Sequence, residues 1–361
     1  MKIAVAGAGL LGRLLAFQLA RAGHEVHVFD PAPHAEARGA AGWTAAGMLS
    51  PVAELECADE AVFRLGLRSM ELWPQILARL PVSVECRFDG SLLLAHRGDE
   101  GSARRVLDLL HTKLGSVGWV GDSHPSDMPN AGVRLREAQP TGIKQLAPSE
   151  LQKLEPSVRG PAHAWLLPHE GRIHTVQAMQ ALAACATGVH WRWGCAVDET
   201  APGQLRSTGC TEHFDWVFDV RGTGARPQLP VRGVRGEIFW LQAPGLQLTR
   251  PLRLLHPRHR VYLVPRAPDL VVVGASEIES EDRSPVSLRS TVELLAAAHS
   301  VVPELAEARI VHSESNLRPA LPDNLPLLDT QPGLTRINGL FRHGWLIAPA
   351  LVERALQEMT P

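Results

Sequence analysis

The sequence predicts an α/β fold of two units: one built on a parallel sheet, and a second, differently built one carried by an antiparallel sheet. Three observations predict it. The chain opens on a strand, a glycine-rich turn, a helix and a second strand, "MKIAVAGAGLLGRLLAFQLARAGHEVHVFD". Far downstream, "FDWVFDVRGTGARP" repeats the pattern of an apolar strand ending on glycines. Beyond it, "VRGEIFWLQ", "RVYLVPR" and "DLVVVGAS" read as antiparallel strands, the last two joined by the turn "APD". With 361 residues and 45% hydrophobic content, the chain can fill a core in each unit.

The opening run, residues 3–6, is apolar on both faces, as a strand buried inside a parallel sheet must be. Gly7, Gly9 and Gly12 follow in the spacing G-x-G-x-x-G. The first permits a tight turn, the second removes a side chain from the path of a pyrophosphate, and the third lets the next helix approach the strand. That helix is expected over residues 10–22, with Gly23 ending it and its N-terminal amides aimed at an anion. The following strand delivers Asp30, an acceptor for an adenosine ribose. The turn is therefore read as a dinucleotide site, with NADP disfavoured because no arginine follows Asp30 directly.

Next comes "RGAAGWTAAGMLSP", residues 38–51, a loop of small residues suited to pressing backbone against a flat ligand. A helix is expected over residues 59–80, with Phe63, Leu67, Met70 and Trp73 on its core face. Strand-like and helical stretches follow in "RFDGSLLLAH" and "EGSARRVLDLLHTKLGS". The polar, turn-rich span 120–145 reads as a long surface loop or a lid. "TVQAMQALAACATG" reads as a helix capped by Thr175, and "VHWRWGCAVDE" as a strand.

The C-terminal quarter bears on the cofactor. "RINGLFRHGWLIAPALVERALQEM" places a strand end at Gly339 and a helix start near Gly344, so a second set of N-terminal amides converges on a site far from the first in sequence. A nicotinamide coenzyme is more often held within one contiguous domain. FAD is longer, and its second head gathers negative charge on reduction, which a helix N-terminus stabilises. Recruitment of both chain ends and of the loop around Ala45 to Leu49 therefore favours FAD.

Composition removes other classes. A net charge of −2 gives no general attraction for nucleic acid. No apolar run reaches the length of a membrane span. Five cysteines without a C-x-x-C pair suit a reducing compartment, and a fold starting at residue 2 leaves no room for a leader, so a cytoplasmic protein is expected. Sixteen histidines show no metal-ligand spacing, so no metal is expected.

The segments "GAGLLG", "WTAAGMLSPVAE", "VRGE", "YLVPR", "VVGAS", "LRPALPDNLPLL" and "FRHGWLIAPA" occur in the order and approximate spacing of the D-amino acid oxidase superfamily, and from residue 2 to 353 the chain most resembles its glycine oxidase branch. The resemblance implies a glutathione reductase-type FAD domain built from residues 1–82, 155–224 and 313–361, and a substrate domain from 83–154 and 225–312. It implies FAD as cofactor and a small amino acid and dioxygen as reactants, and leaves homo-oligomerisation open. Residue by residue, it implies that Arg318 holds the substrate carboxylate, that Tyr262, the one tyrosine of the chain, completes that contact, that Arg342 stands beside the flavin, and that Met48 lines the substrate face. The cofactor contacts expected are Gly7, Gly9, Leu10, Leu11, Gly12, Asp30, Pro31, Thr44, Ala45, Ala46, Gly47, Met48, Leu49, Ala196, Val197, Gly222, Gly224, His343, Gly344, Trp345 and Leu346.

Two positions depart from the branch pattern: Arg260 stands where it has a histidine, and Glu277 near where it has a methionine. On alternating strand geometry Arg260 shares a face with Tyr262, and a charged pair with Glu277 is expected to line the pocket away from Arg318. The activity implied is oxidation of glycine or a small D-amino acid to the imine with peroxide release, feeding thiazole synthesis. Open alternatives are a D-amino acid dehydrogenase with another electron acceptor, a nicotinamide-linked reductase, and a flavin-binding module in tRNA modification.

Overall fold

The computed structural model describes residues 1–117, 142–256 and 260–359. Ile3, Ala4, Val5 and Ala6 in the strand Lys2–Ala6 are wholly buried. They lie inside a six-stranded sheet whose order is Leu327–Gln331, Leu334–Asn338, Trp216–Asp219, Lys2–Ala6, Glu25–Asp30, His190–Trp193. All neighbours run parallel except the first pair. A parallel sheet has no wet face at its centre, which is why the central strands Lys2–Ala6 and Trp216–Asp219 are buried along almost their whole length.

The helices Leu10–Arg21, Thr175–Ala184 and Gly344–Glu358 contribute Leu14, Leu15, Leu182, Ile347 and Leu351 to one core beside this sheet. Burying each such leucine or isoleucine contributes about 1.5–3 kcal/mol. Asp59 caps the helix Glu60–Leu77 by accepting the Val62 amide at 3.0 Å. That helix packs along Gly344–Glu358, where Trp73 stacks on Trp345 at 5.4 Å and donates its indole N–H to the Trp345 carbonyl. Of the expected core face, Phe63 and Trp73 are buried, while Leu67 and Met70 pack at its margin.

A second sheet has eight strands, in the order Arg309–Ala320, Arg232–Gln242, Leu270–Gly274, Arg260–Arg266, Leu252–Leu255, Ser91–Ala95, His163–Leu167, Lys144–Leu146. Neighbours are antiparallel except Leu252–Leu255 with Ser91–Ala95. The helix Leu288–Val301 covers it through Leu294, Ala298 and Val301. His163–Leu167 belongs to this sheet although the sequence-drawn boundary put residue 163 with the nucleotide unit, and Arg309–Ala320 runs across the boundary at 312.

Two local expectations are corrected. The helix cap expected at Thr175 is His174, which sits in extended backbone and accepts the Gln177 amide through Nδ1; Thr175 is already helical. The strand expected through "VHWRWGCAVDE" breaks at Gly194, whose φ of 71° turns the chain out of the parallel sheet into the three-stranded antiparallel sheet begun by Val197–Ala201. The lid expectation falls mainly on residues 118–141, which lie outside the described residues. No helix among the described residues is long and apolar enough to cross a membrane.

Candidate functional site

The first turn is a tight crossing. Gly7 takes φ +104°, and a Cβ there would press on the Val220 carbonyl at 2.8 Å. A Cβ at Gly12 would lie 1.8 Å from the Gly7 carbonyl oxygen, so helix and strand meet backbone to backbone. Asp30 braces the turn, with Oδ2 accepting the Ala8 amide at 2.6 Å and Oδ1 the Ala32 amide at 2.8 Å. A carboxylate has about four acceptor sites, which leaves capacity for a ligand hydroxyl.

A cavity of about 1,050 Å³ opens from this turn and is lined by residues of both large sheets. Of the expected cofactor contacts, Gly7, Gly9, Leu10, Leu11, Asp30, Pro31, Thr44, Ala45, Ala46, Gly47, Met48, Ala196, Val197, Gly222, Gly224, His343, Gly344, Trp345 and Leu346 all line it. Gly12 and Leu49 do not. The first is spent on the helix-strand crossing, and the Leu49 side chain is wholly buried in the core of the parallel sheet.

The small-residue loop is held against the cavity from three directions. The Asn316 amide nitrogen lies 3.2 Å from the carbonyls of Arg38 and Ala40 and from Thr44 Oγ1. Trp345 Nε1 donates to the Gly42 carbonyl at 3.0 Å, and the buried Arg266 guanidinium donates to the carbonyls of Ala46 and Ile173. Nothing in the sequence pattern pointed to Asn316 or Arg266, because their partners are carbonyls that only the tertiary fold brings within reach.

A Cβ on Gly9 would meet only the Ala40 Cβ, at 3.6 Å, and one on Gly344 would meet nothing within 4 Å. At both glycines bare backbone therefore faces the open space, each at the start of a helix whose N-terminus lines the same cavity. Two separated sets of unpaired amides around one elongated space fit an anionic ligand with two heads.

The eight-stranded sheet supplies the rest of the wall. Arg253, Tyr262, Gly274 and Ile238 lie side by side across four strands, and Arg318 projects nearby from the strand Arg309–Ala320. Arg318 Nη1 donates to the Ser276 carbonyl at 3.0 Å and less closely to the Arg235 carbonyl at 3.4 Å. No carboxylate among the described residues forms an ion pair with it. Burial pulls its pKa down, an effect that the nearby Tyr262, Glu277 and Glu54 oppose. Burial also pushes the Tyr262 phenol up, against the pull of Arg318, Arg342 and Arg253, so the hydroxyl stays protonated. Met48 packs beside Tyr262 with Ala46, Ile238 and Val264.

Glu54, which sequence reading passed over, gathers the cations beside them. Its Oε1 accepts Arg253 Nη2 at 2.6 Å, while Oε2 lies 3.4 Å from Arg342 Nε and 3.2 Å from His343 Nδ1. Burial favours the protonated acid here, but Arg342, Arg253 and His343 outweigh it and hold the carboxyl well below its usual range. Its position in "SPVAELE", just after the small-residue loop, was the available signal.

Arg260 and Glu277 both line the cavity, but they do not form the expected pair. Arg260 is half exposed and stands 3.5 Å from Glu56, whereas Glu277 accepts Arg342 Nη1 at 3.2 Å. Each charge found a nearer partner on another segment.

The model of the family described as FAD-dependent oxidoreductase, DAO, matches residues 2–355. The chain belongs to that family. FAD is accordingly the ligand whose two heads the cavity suits, and the nicotinamide-linked reading is set aside. A Rhizobium etli protein that goes by the name of thiamine biosynthesis oxidoreductase ThiO is 36% identical over 354 residues, covering 97% of this chain and 94% of its own. Glycine oxidase of Geobacillus kaustophilus is 26% identical, covering 96% and 89%. The crystal structure of glycine oxidase from that organism superposes with a TM-score of 0.79 over 98% of this chain and 94% of its own.

Proposed function

We propose that this flavoprotein oxidises glycine or a small D-amino acid at the carbon bearing the amine, releasing an imine that hydrolyses to oxo acid and ammonia. The observation that carries the reading is Arg318: a guanidinium on the wall of the FAD cavity that donates only to backbone carbonyls and forms no ion pair with a carboxylate of the described residues. Its planar fork suits a substrate carboxylate, met by two charge-assisted hydrogen bonds. The protonated Tyr262 hydroxyl, next to it, is able to donate a third.

Bound FAD would supply a two-electron acceptor for the hydride from the substrate carbon as the nitrogen lone pair closes the C=N bond, and dioxygen would then take up the electron pair with two protons as hydrogen peroxide. The protein's part is orientation and exclusion of water. Glu54 is committed to its cations and the Tyr262 phenol holds its proton, so neither acts as a base. Hydride loss from a neutral amine needs none. The apolar patch of Met48, Ala46 and Ile238 suits a substrate with little or no side chain.

In this reading the six-stranded sheet with its helices is the FAD domain and the eight-stranded sheet the substrate domain. The name of the Rhizobium etli relative supports a place for this oxidation in thiamine biosynthesis. The five free cysteines suit the reducing cytoplasm.

The test is a substrate panel on the purified protein, followed by peroxide formation and dioxygen loss. Flavin absorption bands and a preference for glycine, sarcosine or D-alanine over D-phenylalanine and D-leucine are expected. A clear preference for bulky apolar D-amino acids would contradict the reading. Flavin reduction without dioxygen uptake would mark a dehydrogenase instead.

A further inference from the structure

A second cavity, of about 630 Å³, adjoins the first and shares Arg260, Glu277, Phe341, Arg342 and His343 with it. These shared residues form a neck between the two spaces. Around Tyr262 and this neck stand four arginines, Arg253, Arg260, Arg318 and Arg342, and three glutamates, Glu54, Glu56 and Glu277. The pairing is specific. Glu54 takes Arg253 and the Nε side of Arg342, Glu277 takes Nη1 of Arg342, and Glu56 takes Arg260. Arg318 alone of the four has no acidic partner among the described residues.

We infer that Glu56 and Glu277 make this a site for one carboxylate only: they discharge the arginines of the neck, so that monocarboxylic amino acids are accepted and amines carrying a second carboxylate are refused. The inference rests on the proposed oxidation of small amino acids and adds its selection rule. A second carboxylate entering the neck would meet Arg260 with Glu56 already against it, and Arg342 with Glu277 already against it. At either arginine it would lose hydration and gain no unpaired cation, which is the costly case for a charge leaving water. Arg260 is the cation best placed to change this. It sits two residues from Tyr262 on the same strand face, at the neck, and among the described residues one ion pair at 3.5 Å neutralises it.

Removing the Glu56 carboxylate by Glu56→Gln should therefore turn Arg260 into a second anion site. The experiment uses the FAD-loaded protein and two matched pairs of probes. Sarcosine and iminodiacetate differ by one carboxylate and are followed by peroxide release. Methoxyacetate and oxydiacetate, their ether analogues without an oxidisable amine, are followed by the change they cause in the flavin absorption spectrum, which reports binding without turnover. The expected result is that the native protein favours the monocarboxylate of each pair. In Glu56→Gln the dicarboxylate-to-monocarboxylate ratio should rise about tenfold or more, the worth of a hydrogen bond to a charged group. The gain should vanish in Glu56→Gln combined with Arg260→Gln. Glu60→Gln removes a charge from the same second cavity without freeing Arg260, and should not move the ratio.

A native protein that takes the dicarboxylates as readily as their partners overturns the inference. So does a Glu56→Gln variant whose ratio stays put, or moves equally in Glu60→Gln. Should Glu56→Gln not fold, Glu277→Gln, which frees one side of Arg342, is expected to shift the ratio in the same direction, and failure to do so counts against the inference. Oxidation of glycine and sarcosine with an unmoved ratio sinks the selection rule alone, whereas loss of all amine oxidation in the native protein sinks the functional reading beneath it.

Discussion

Gly236 leaves the space that the Arg318 guanidinium occupies: a Cβ at residue 236 would lie 2.5 Å from its Cζ and Nη2. Tyr262 stands in the same relation to Gly274, where a Cβ would lie 2.6 Å from the phenolic oxygen. Both glycines sit in strands, where glycine weakens the ladder, and each marks a side chain laid across the sheet. Gly236→Ala should push the guanidinium out of position while leaving the flavin cradle intact. A weakened carboxylate contact raises KM by about 10- to 100-fold, with flavin content per chain unchanged. Steady-state kinetics on glycine beside a flavin absorbance ratio would check it; an unaltered KM would show that Arg318 does not hold the substrate.

The cradle itself is tested at Gly9. Its backbone is in an extended conformation and a Cβ meets only Ala40 at ordinary contact distance, so a side chain can start there without a tight contact in the protein. Gly9→Val should therefore fold normally and fail only in holding FAD, because its methyl groups would enter the ligand's space. A variant of native thermal stability in its apo form but without flavin is expected. Full flavin occupancy would place the pyrophosphate elsewhere.

The architecture of the parallel sheet was legible because its rules are local. Buried parallel strands have no polar face, and the turn glycines answer to contacts within a few residues of one another. Arg318, Tyr262 and Met48 were legible for a different reason, the resemblance of the motifs around them. Glu54, Asn316 and Arg266 were not, since each earns its place through partners more than ninety positions away, as in the pair Arg266 with Ile173 at a separation of 93. The pairing of Arg260 and Glu277 misled for the same reason. Strand alternation gives the face on which a charge lies but not the partner that arrives from another segment, here Glu56 for one and Arg342 for the other.

His174, the cap of the helix Thr175–Ala184, is buried and its pKa is driven down to about 4, first by desolvation and then by the Arg266 charge. The folded protein thus refuses a proton that the unfolded chain accepts near 6.5. The stabilisation is complete above that value and is lost as pH falls from there toward about 4, amounting to about 2–3 kcal/mol. His174→Asn keeps a capping acceptor but cannot titrate. Urea unfolding of both proteins should give a free-energy difference that is constant above pH 7 and shifts in favour of the variant between pH 6.5 and 4. A constant difference across that range would mean that His174 is not held neutral.

Glu54 offers the sharpest test of how the site is held together. One carboxylate serves Arg253, Arg342 and His343 in a nearly dry environment, so Glu54→Gln leaves the buried Arg253 guanidinium without its counter-charge and Arg342 with Glu277 alone. Breaking a buried pair from one side costs about 3–5 kcal/mol, far more than the loss of a surface salt bridge at about 0–1 kcal/mol. The surface pair Arg206 with Glu199 supplies the comparison: Glu199→Gln should shift the urea midpoint little, whereas Glu54→Gln should lower it substantially. Acid should act on the native protein in the same way, because the Glu54 carboxyl lies well below its ordinary range in the folded state. Its contribution is present in full above the unfolded value of 4.5 and disappears as pH falls toward the depressed one. The stability of Glu54→Gln should therefore vary less with pH in that acid window than the stability of the native protein. Equal acid sensitivity in the two would show that Glu54 is not the anchor of this arginine cluster.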